Sequence, residues 1–111
     1  MSDCLFCRIV NGEIPSDFIY ESSNVVAFMD MNPVAPFHCL VVPKEHYSSI
    51  MTLDPGVAAD VIIAIQVIAK ENGLDGEGFR VVNNCGDFGQ QTVEHIHFHV
   101  IGKRQMQWPP G

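Results

Sequence analysis

The chain has 111 residues, enough to bury one core but not two. A 47% hydrophobic fraction excludes disorder, and a charged fraction of only 17% suggests that some surface is covered by another subunit. The net charge of −7 argues against sequence-independent nucleic-acid binding, yet leaves room for a small phosphate ligand held by a few local donors.

Cys4-Leu5-Phe6-Cys7-Arg8-Ile9-Val10 pairs a C-x-x-C motif with apolar residues at helical spacing, which predicts a brief helix closed by Gly12. Phe18-Ile19-Tyr20 and Val25-Val26-Ala27-Phe28-Met29 read as two strands joined by a hairpin-length turn. A loop with Pro33 and Pro36 follows, then a third strand, His38-Cys39-Leu40-Val41-Val42, ended by Pro43. Asp54 as N-cap, Pro55 at the first position and Asn72-Gly73 as a stop define one long helix. Val57, Val61, Ile65 and Ile68 form its apolar stripe, which Ile62 broadens, so the helix should be largely covered. A Gly-rich turn leads to a fourth strand, Phe79-Arg80-Val81-Val82, and a loop over 83–92 delivers the chain to His95-Ile96-His97-Phe98-His99-Val100-Ile101.

That order predicts an α+β domain over 1–111 on a mainly antiparallel five-stranded sheet, with one long and one short helix. The segment over 103–111 is too proline-rich to continue a strand. No basic leader precedes the first helix, and the longest apolar run, 61–69, is too short to span a bilayer. The expectation is a cytoplasmic protein, also nuclear if eukaryotic, with no membrane partner. Two disulfides among Cys4, Cys7, Cys39 and Cys85 are a poor reading in a reducing compartment.

Three of the five histidines alternate with apolar residues over 95–99. On a strand they share one face, neighbours roughly 7 Å apart, with Ile96, Phe98 and Val100 turned to the core. Burying three imidazoles on one wall as inert strand residues would demand many partners. Two chemistries remain. The row chelates a metal, or one imidazole attacks phosphorus while its neighbours stabilise the charge that spreads over the oxygens.

His-φ-His-φ-His-φ-φ, with φ apolar, is the signature of the histidine triad family of nucleotide hydrolases and transferases. Residues 30–38, Pro43-Lys44-Glu45-His46 and Gly89-Gln90-Gln91-Thr92-Val93 also resemble that family, and the closing Arg104-Gln105-Met106-Gln107-Trp108-Pro109-Pro110-Gly111 resembles its nucleotide-binding branch. The resemblance runs from Leu5 onward. It implies the histidine triad fold, a homodimer with one sheet continued across the interface, and a tail over 103–111 that contacts the partner.

The resemblance also implies an activity: hydrolysis of purine nucleoside 5′-phosphoramidates to AMP and an amine. His97 would be the nucleophile and His99 a donor to the phosphate, with His38 and His95 supporting them. Asp30 would accept from the ribose, beside Met31. Asn84, eleven residues before His95 and preferred to Asn83, which alternation sends to the opposite face, would contact phosphate or ribose with Gln90, Gln91 and Thr92, and Leu5, Phe6, Ile9 and Phe28 would line the base slot. Taken alone, those four read as core and Asp30 as a turn cap. Gln90 stands where the family usually has Gly, which puts a side chain against the approach to phosphate.

The C-x-x-C pair reads as half of a structural zinc site, with Cys4, Cys7, His46 and His95 as the four ligands, the way several microbial members of this family bind zinc. Zinc would then make His95 an anchor rather than an acid–base participant. Other readings are a dinucleoside polyphosphate hydrolase, or a nucleotide- or zinc-dependent interaction module with incidental hydrolysis.

Overall fold

The computed structural model describes residues 3–111; Met1 and Ser2, part of the stretch read as lacking a leader, lie outside the described residues. The elements are α1 (Leu5–Val10), β1 (Phe18–Glu21), β2 (Val25–Met29), β3 (Phe37–Pro43), α2 (Pro55–Glu71), α3 (Leu74–Glu77), β4 (Phe79–Val82) and β5 (Phe98–Gly102). One five-stranded sheet has the order β1-β2-β3-β5-β4, every neighbouring pair antiparallel. This is the α+β architecture the sequence predicts.

Local chemistry sets the helix ends. Asp54 Oδ2 accepts from the backbone N–H of Gly56 and Val57 at 3.0 and 3.2 Å, satisfying two donors that have no partner within α2. Cys4 caps α1, its Sγ accepting from Cys7 N at 3.3 Å. The chain leaves α1 through Gly12 at φ +78°, a conformation that costs a residue without Cβ nothing.

Strand alternation divides the core into two faces. Val25, Ala27, Phe37, Cys39, Val41 and Val100 pack against Val61, Ala64, Ile65 and Ile68 of α2. Val26, Phe28, Leu40 and Val42 turn the other way, onto Phe6 and Ile9 of α1. His38 alternates with Phe37 and Cys39, and His99 with Val100, so both imidazoles fall on the α1 face. The thiol of Cys39 is pushed up to about 12 by burial, as suits a small hydrophobe in the core.

Three expectations are corrected. The Gly-rich turn contains a third helix, α3, so the fold has two short helices. Its Leu-Asp-Gly-Glu sequence has little helical propensity; burial of Leu74, 2% exposed, holds it. The histidine strand begins at Phe98 rather than His95, because Ile96 N donates to Tyr47 O at 2.7 Å instead of joining the sheet. Ile62 does not broaden the buried stripe of α2. It lies with Ile63 on the outer face, both half-exposed, so the helix is covered on one side only.

Candidate active site and metal centre

His97, buried beneath the α1 side of the sheet, makes the most informative contact. Its Nδ1–H donates to the carbonyl oxygen of His95 at 2.8 Å. A carbonyl can only accept, so in the neutral ring Nε2 is unprotonated and carries the lone pair. The ring is steered by Phe6, edge-on at 4.9 Å between centroids and 87°, and its own carbonyl accepts from Asn83 Nδ2 at 3.0 Å.

His99 lies 5.2 Å from His97, ring centre to ring centre. Its protonation follows from a chain of bonds. Val34 N–H donates to His38 Nδ1 at 3.1 Å, which places the proton of neutral His38 on Nε2. That Nε2–H points at His99 Nδ1, 2.8 Å away, and at Asp30 Oδ2, 3.4 Å away. His99 therefore accepts at Nδ1 and keeps its proton on Nε2. Burial lowers the pKa of both rings. For His99 the charges of His97 and His38 lower it further, and Asp30 opposes the shift in both. The site thus holds an unprotonated His97 nitrogen beside a His99 N–H donor.

Asp30, His38 and His99 place three potential ligand atoms within 4.8 Å, as a metal site would. The Val34 N–H argues for a proton relay instead, since a cation on His38 Nε2 would have to expel the only proton of that ring. Asp30 does cap the turn, Oδ1 accepting from Asn32 N at 2.8 Å, while Oδ2 faces the histidines.

A second constellation begins at His95, whose ring is fully buried. Its Nε2–H donates to Pro43 O at 2.8 Å, leaving the Nδ1 lone pair aimed at sulfur: Cys4 Sγ at 3.3 Å and Cys7 Sγ at 3.5 Å. Cys7 Sγ lies 3.3 Å from His46 Nδ1, and all four ligand atoms fall within 4.8 Å of one another. Adjacent sulfur and nitrogen ligands of a tetrahedral zinc are separated by ~3.6 Å, given Zn–S of about 2.3 Å and Zn–N of about 2.0–2.1 Å. The donor set and its spacing fit a closed structural zinc site. The lowered pKa of His95, chiefly from burial and also from His46 and His97, keeps it a neutral ligand although the Pro43 carbonyl opposes the shift.

The other predicted residues divide. Phe6 and Phe28 meet edge-on at 5.8 Å, with Ile9 behind them and Leu5 half-exposed at the rim. Met31 is almost wholly exposed beside Asp30. Asn84 is half-buried and Thr92 exposed at the two ends of the loop. The Gln91 side chain braces the loop. Its Nε2 donates to Ser48 O at 2.6 Å and Val93 O at 3.0 Å, while its Oε1 accepts from Gly86 N at 3.0 Å. Gln90, exposed, adopts φ +59°, the conformation that a glycine takes without strain. Sequence reasoning set Asn83 aside in favour of Asn84 and missed Val34. Asn83 serves the backbone of His97, and Val34 acts through its peptide group, which no side-chain pattern reveals.

A cavity of about 470 Å³ opens beside the cysteine cluster, lined by Cys4, Leu5, His46 and Thr92. A larger one, about 530 Å³, lies away from the histidines between Leu74, Phe79, Arg80 and Met106. No helix among the described residues is long and apolar enough to cross a membrane.

Residues 11–106 match the family model described as the HIT domain. A relative from Brassica juncea named "14 kDa zinc-binding protein" is 41% identical over 98% of this chain and 100% of its own length. A HIT family hydrolase from Legionella pneumophila superposes with a TM-score of 0.94 at 42% identity, covering 98% of this chain and all of its own. A histidine triad nucleotide-binding protein from Candida albicans gives 0.89 at 31% identity, covering 96% and 83%. The chain belongs to the HIT domain family.

Proposed function

We propose that the protein hydrolyses adenosine 5′-phosphoramidates, of the AMP-NH2 and AMP-lysine type, to AMP and an amine through a nucleotidyl-His97 intermediate. The observation that carries this reading is the His97 Nδ1–H bond to His95 O, which leaves Nε2 with the lone pair that attack on phosphorus requires. The Legionella and Candida neighbours, a hydrolase and a nucleotide-binding protein by name, support it.

His97 Nε2 attacks the α-phosphorus, forming an N–P bond as the P–N bond of the substrate breaks. The nitrogen leaves as the amine with a proton from water. His97 now carries positive charge, and the His95 carbonyl stabilises it through Nδ1–H. His99 Nε2–H donates to the non-bridging oxygens, where negative charge grows. Water then attacks phosphorus, gives up a proton, and releases AMP and neutral His97. Asp30 Oδ2 accepts from the ribose beside Met31, and Leu5, Phe6, Ile9 and Phe28 hold the base. Asn84, Thr92 and the backbone at Gln90 complete the phosphate contacts.

Cys4, Cys7, His46 and His95 would hold a zinc ion, and with four protein ligands its contribution would be structural rather than catalytic. The zinc-binding name of the Brassica relative agrees with that ligand set. The protein acts as a homodimer in the cytoplasm. β4 is an edge strand with Phe79 and Val81 partly exposed, and Ile62 and Ile63 of α2 are half-exposed, a surface that a second copy would bury by continuing the sheet. Trp108, 81% exposed, then approaches the partner's site.

The test is hydrolysis of AMP-morpholidate and AMP-lysine by wild type and His97→Ala. Wild type should show a burst of amine release followed by slower AMP release, and the variant should lose about three or more orders of magnitude in rate. Equal hydrolysis by both proteins refutes the covalent mechanism.

A further inference from the structure

Both hydrogen-bonding groups of Val34 are engaged, and by different parts of the molecule. Its N–H donates to His38 Nδ1 at 3.1 Å, and its carbonyl accepts from Arg104 Nε at 2.9 Å. Arg104 sits seventy residues further along the chain, just past β5, and the segment that follows it is tied down in turn: Arg80 Nη2 donates to Gln107 O at 2.9 Å. Val34 itself lies in an exposed loop with Pro33 and Pro36 on either side, and its own side chain is more than half exposed. Packing does little to fix the two peptide groups that meet at its Cα. Arg104 does.

We propose that Arg104 is a positioning residue for the histidine relay, setting the tautomer of His38 and through it that of His99. The proposal rests on the reading of His99 as the phosphate donor. The steps are all hydrogen bonds already described. Arg104 holds the Val34–Ala35 peptide by its carbonyl, which restricts rotation about the Val34 Cα and so keeps the N–H of the preceding Pro33–Val34 peptide aimed at His38 Nδ1. That N–H can only donate, so the His38 proton must sit on Nε2. His38 Nε2–H occupies His99 Nδ1 at 2.8 Å, which leaves the His99 proton on Nε2, facing the phosphate. Without Arg104 the backbone at Val34 rotates more freely and the N–H that holds His38 Nδ1 is loosened; Asp30 Oδ2 is then left alone to favour the Nε2 proton, and the Nδ1 tautomer of His38 gains population. A His38 protonated at Nδ1 would present a bare Nε2 to His99, which would then donate from Nδ1 and offer the phosphate a lone pair instead of a donor. The tautomer that activates the site is thus chosen by an arginine that touches neither the substrate nor any histidine.

The experiment reads the tautomers directly, by ring ¹⁵N chemical shifts of His38 and His99 in wild type, Arg104→Ala, Arg104→Lys and Val34→Pro. Wild type should show a pyridine-type Nδ1 and pyrrole-type Nε2 at both rings. Arg104→Ala should average these signals toward the middle at both. The same variant should lower kcat on AMP-morpholidate about fivefold, the order expected for one neutral hydrogen bond, with KM changed less than twofold. Arg104→Lys, which keeps a donor, should restore most of the wild-type shifts. Val34→Pro removes the N–H while keeping the carbonyl for Arg104, and should move the shifts as Arg104→Ala does. Unchanged tautomers in Arg104→Ala, or in Val34→Pro, overturn the proposal. The shifts are measured without substrate, so a failure of the proposed phosphoramidase activity would show separately, as absent turnover in wild type with the tautomer effect intact.

Discussion

The carbonyl oxygen of His95 accepts a 2.8 Å hydrogen bond from His97 Nδ1, while the His95 ring turns its own Nδ1 to the sulfurs of Cys4 and Cys7. One residue therefore belongs to two centres, by its backbone to the nucleophile and by its side chain to the cysteine cluster. Helix α1 couples them a second time, since Cys4 and Cys7 bracket Phe6, and the Phe6 ring packs edge-on against His97. Stripping the metal, or substituting Cys4→Ser with Cys7→Ser, should loosen both connections. Thermal melting should fall by roughly 10 °C or more, because metal binding is folding free energy in a domain of this size. AMP affinity measured by calorimetry should weaken about tenfold as the base slot loses its anchor, a loss of ~1.4 kcal/mol. An AMP affinity that is the same with and without metal would separate the two centres.

Much of this was readable in the sequence because the decisive signals were local. Asp54-Pro55 and Asn72-Gly73 mark α2 by capping chemistry, and alternation puts His97 and His99 on the face opposite Val100 whether or not both belong to a strand. The errors have one cause, which is that tertiary contact decided them. Leu74 is helical because it is buried, and β5 starts late because Ile96 N finds Tyr47 O. The relay through Val34 was invisible for a different reason: its working parts are peptide groups, which every residue has.

The loop before the histidines makes a contrast between two neighbours. A Cβ at Gly89 would lie 2.6 Å from Cys85 O and 2.7 Å from Cys85 N, both backbone atoms with no room to yield. Gly89→Ala should therefore destabilise the protein by about 2 kcal/mol and displace the loop that carries Asn84 and Thr92. Gln90 is the opposite case, a side-chain-bearing residue held at φ +59°. Gln90→Gly should stabilise by about 0.5–1 kcal/mol, relief of left-handed strain being partly offset by the entropy of a new glycine. Denaturant melts of the two variants should move in opposite directions. A loss of stability in Gln90→Gly would mean that its side chain makes a contact worth more than the strain.

The low charge of the chain and the half-exposed Ile62 and Ile63, 52% and 51%, bear on assembly. Lysine at both positions would leave the buried face of α2, Val61, Ala64, Ile65 and Ile68, untouched. Ile62→Lys with Ile63→Lys should thus convert a dimer to a folded monomer in sedimentation velocity, with the circular dichroism of the wild type. If the wild type itself sediments as a monomer, the homodimer is wrong. If the variant stays dimeric, the interface lies elsewhere.

Acid should act through the relay before it acts through the carboxylates. His38 and His99 both have pKa values lowered from 6.5 in the folded protein, mainly by burial. Well above pH 6.5 both rings are neutral whether the chain is folded or not, and their contribution to stability is complete. Below it the unfolded chain binds protons that the folded one refuses, so stability is lost as pH falls toward the folded values. Melting temperature should therefore decline from about pH 7.5 to about pH 5, a window above the range in which most carboxylates take up protons. The measurement belongs on chelator-treated protein, so that proton competition with a metal does not add to the slope; buried His95, its pKa also lowered, contributes equally to wild type and variant. His38→Asn with His99→Asn removes the two titrating rings and should flatten the decline, at the cost of a lower melting temperature throughout. A wild-type curve that is flat across the window, or a variant as steep as wild type, would show that the buried pair does not govern acid stability.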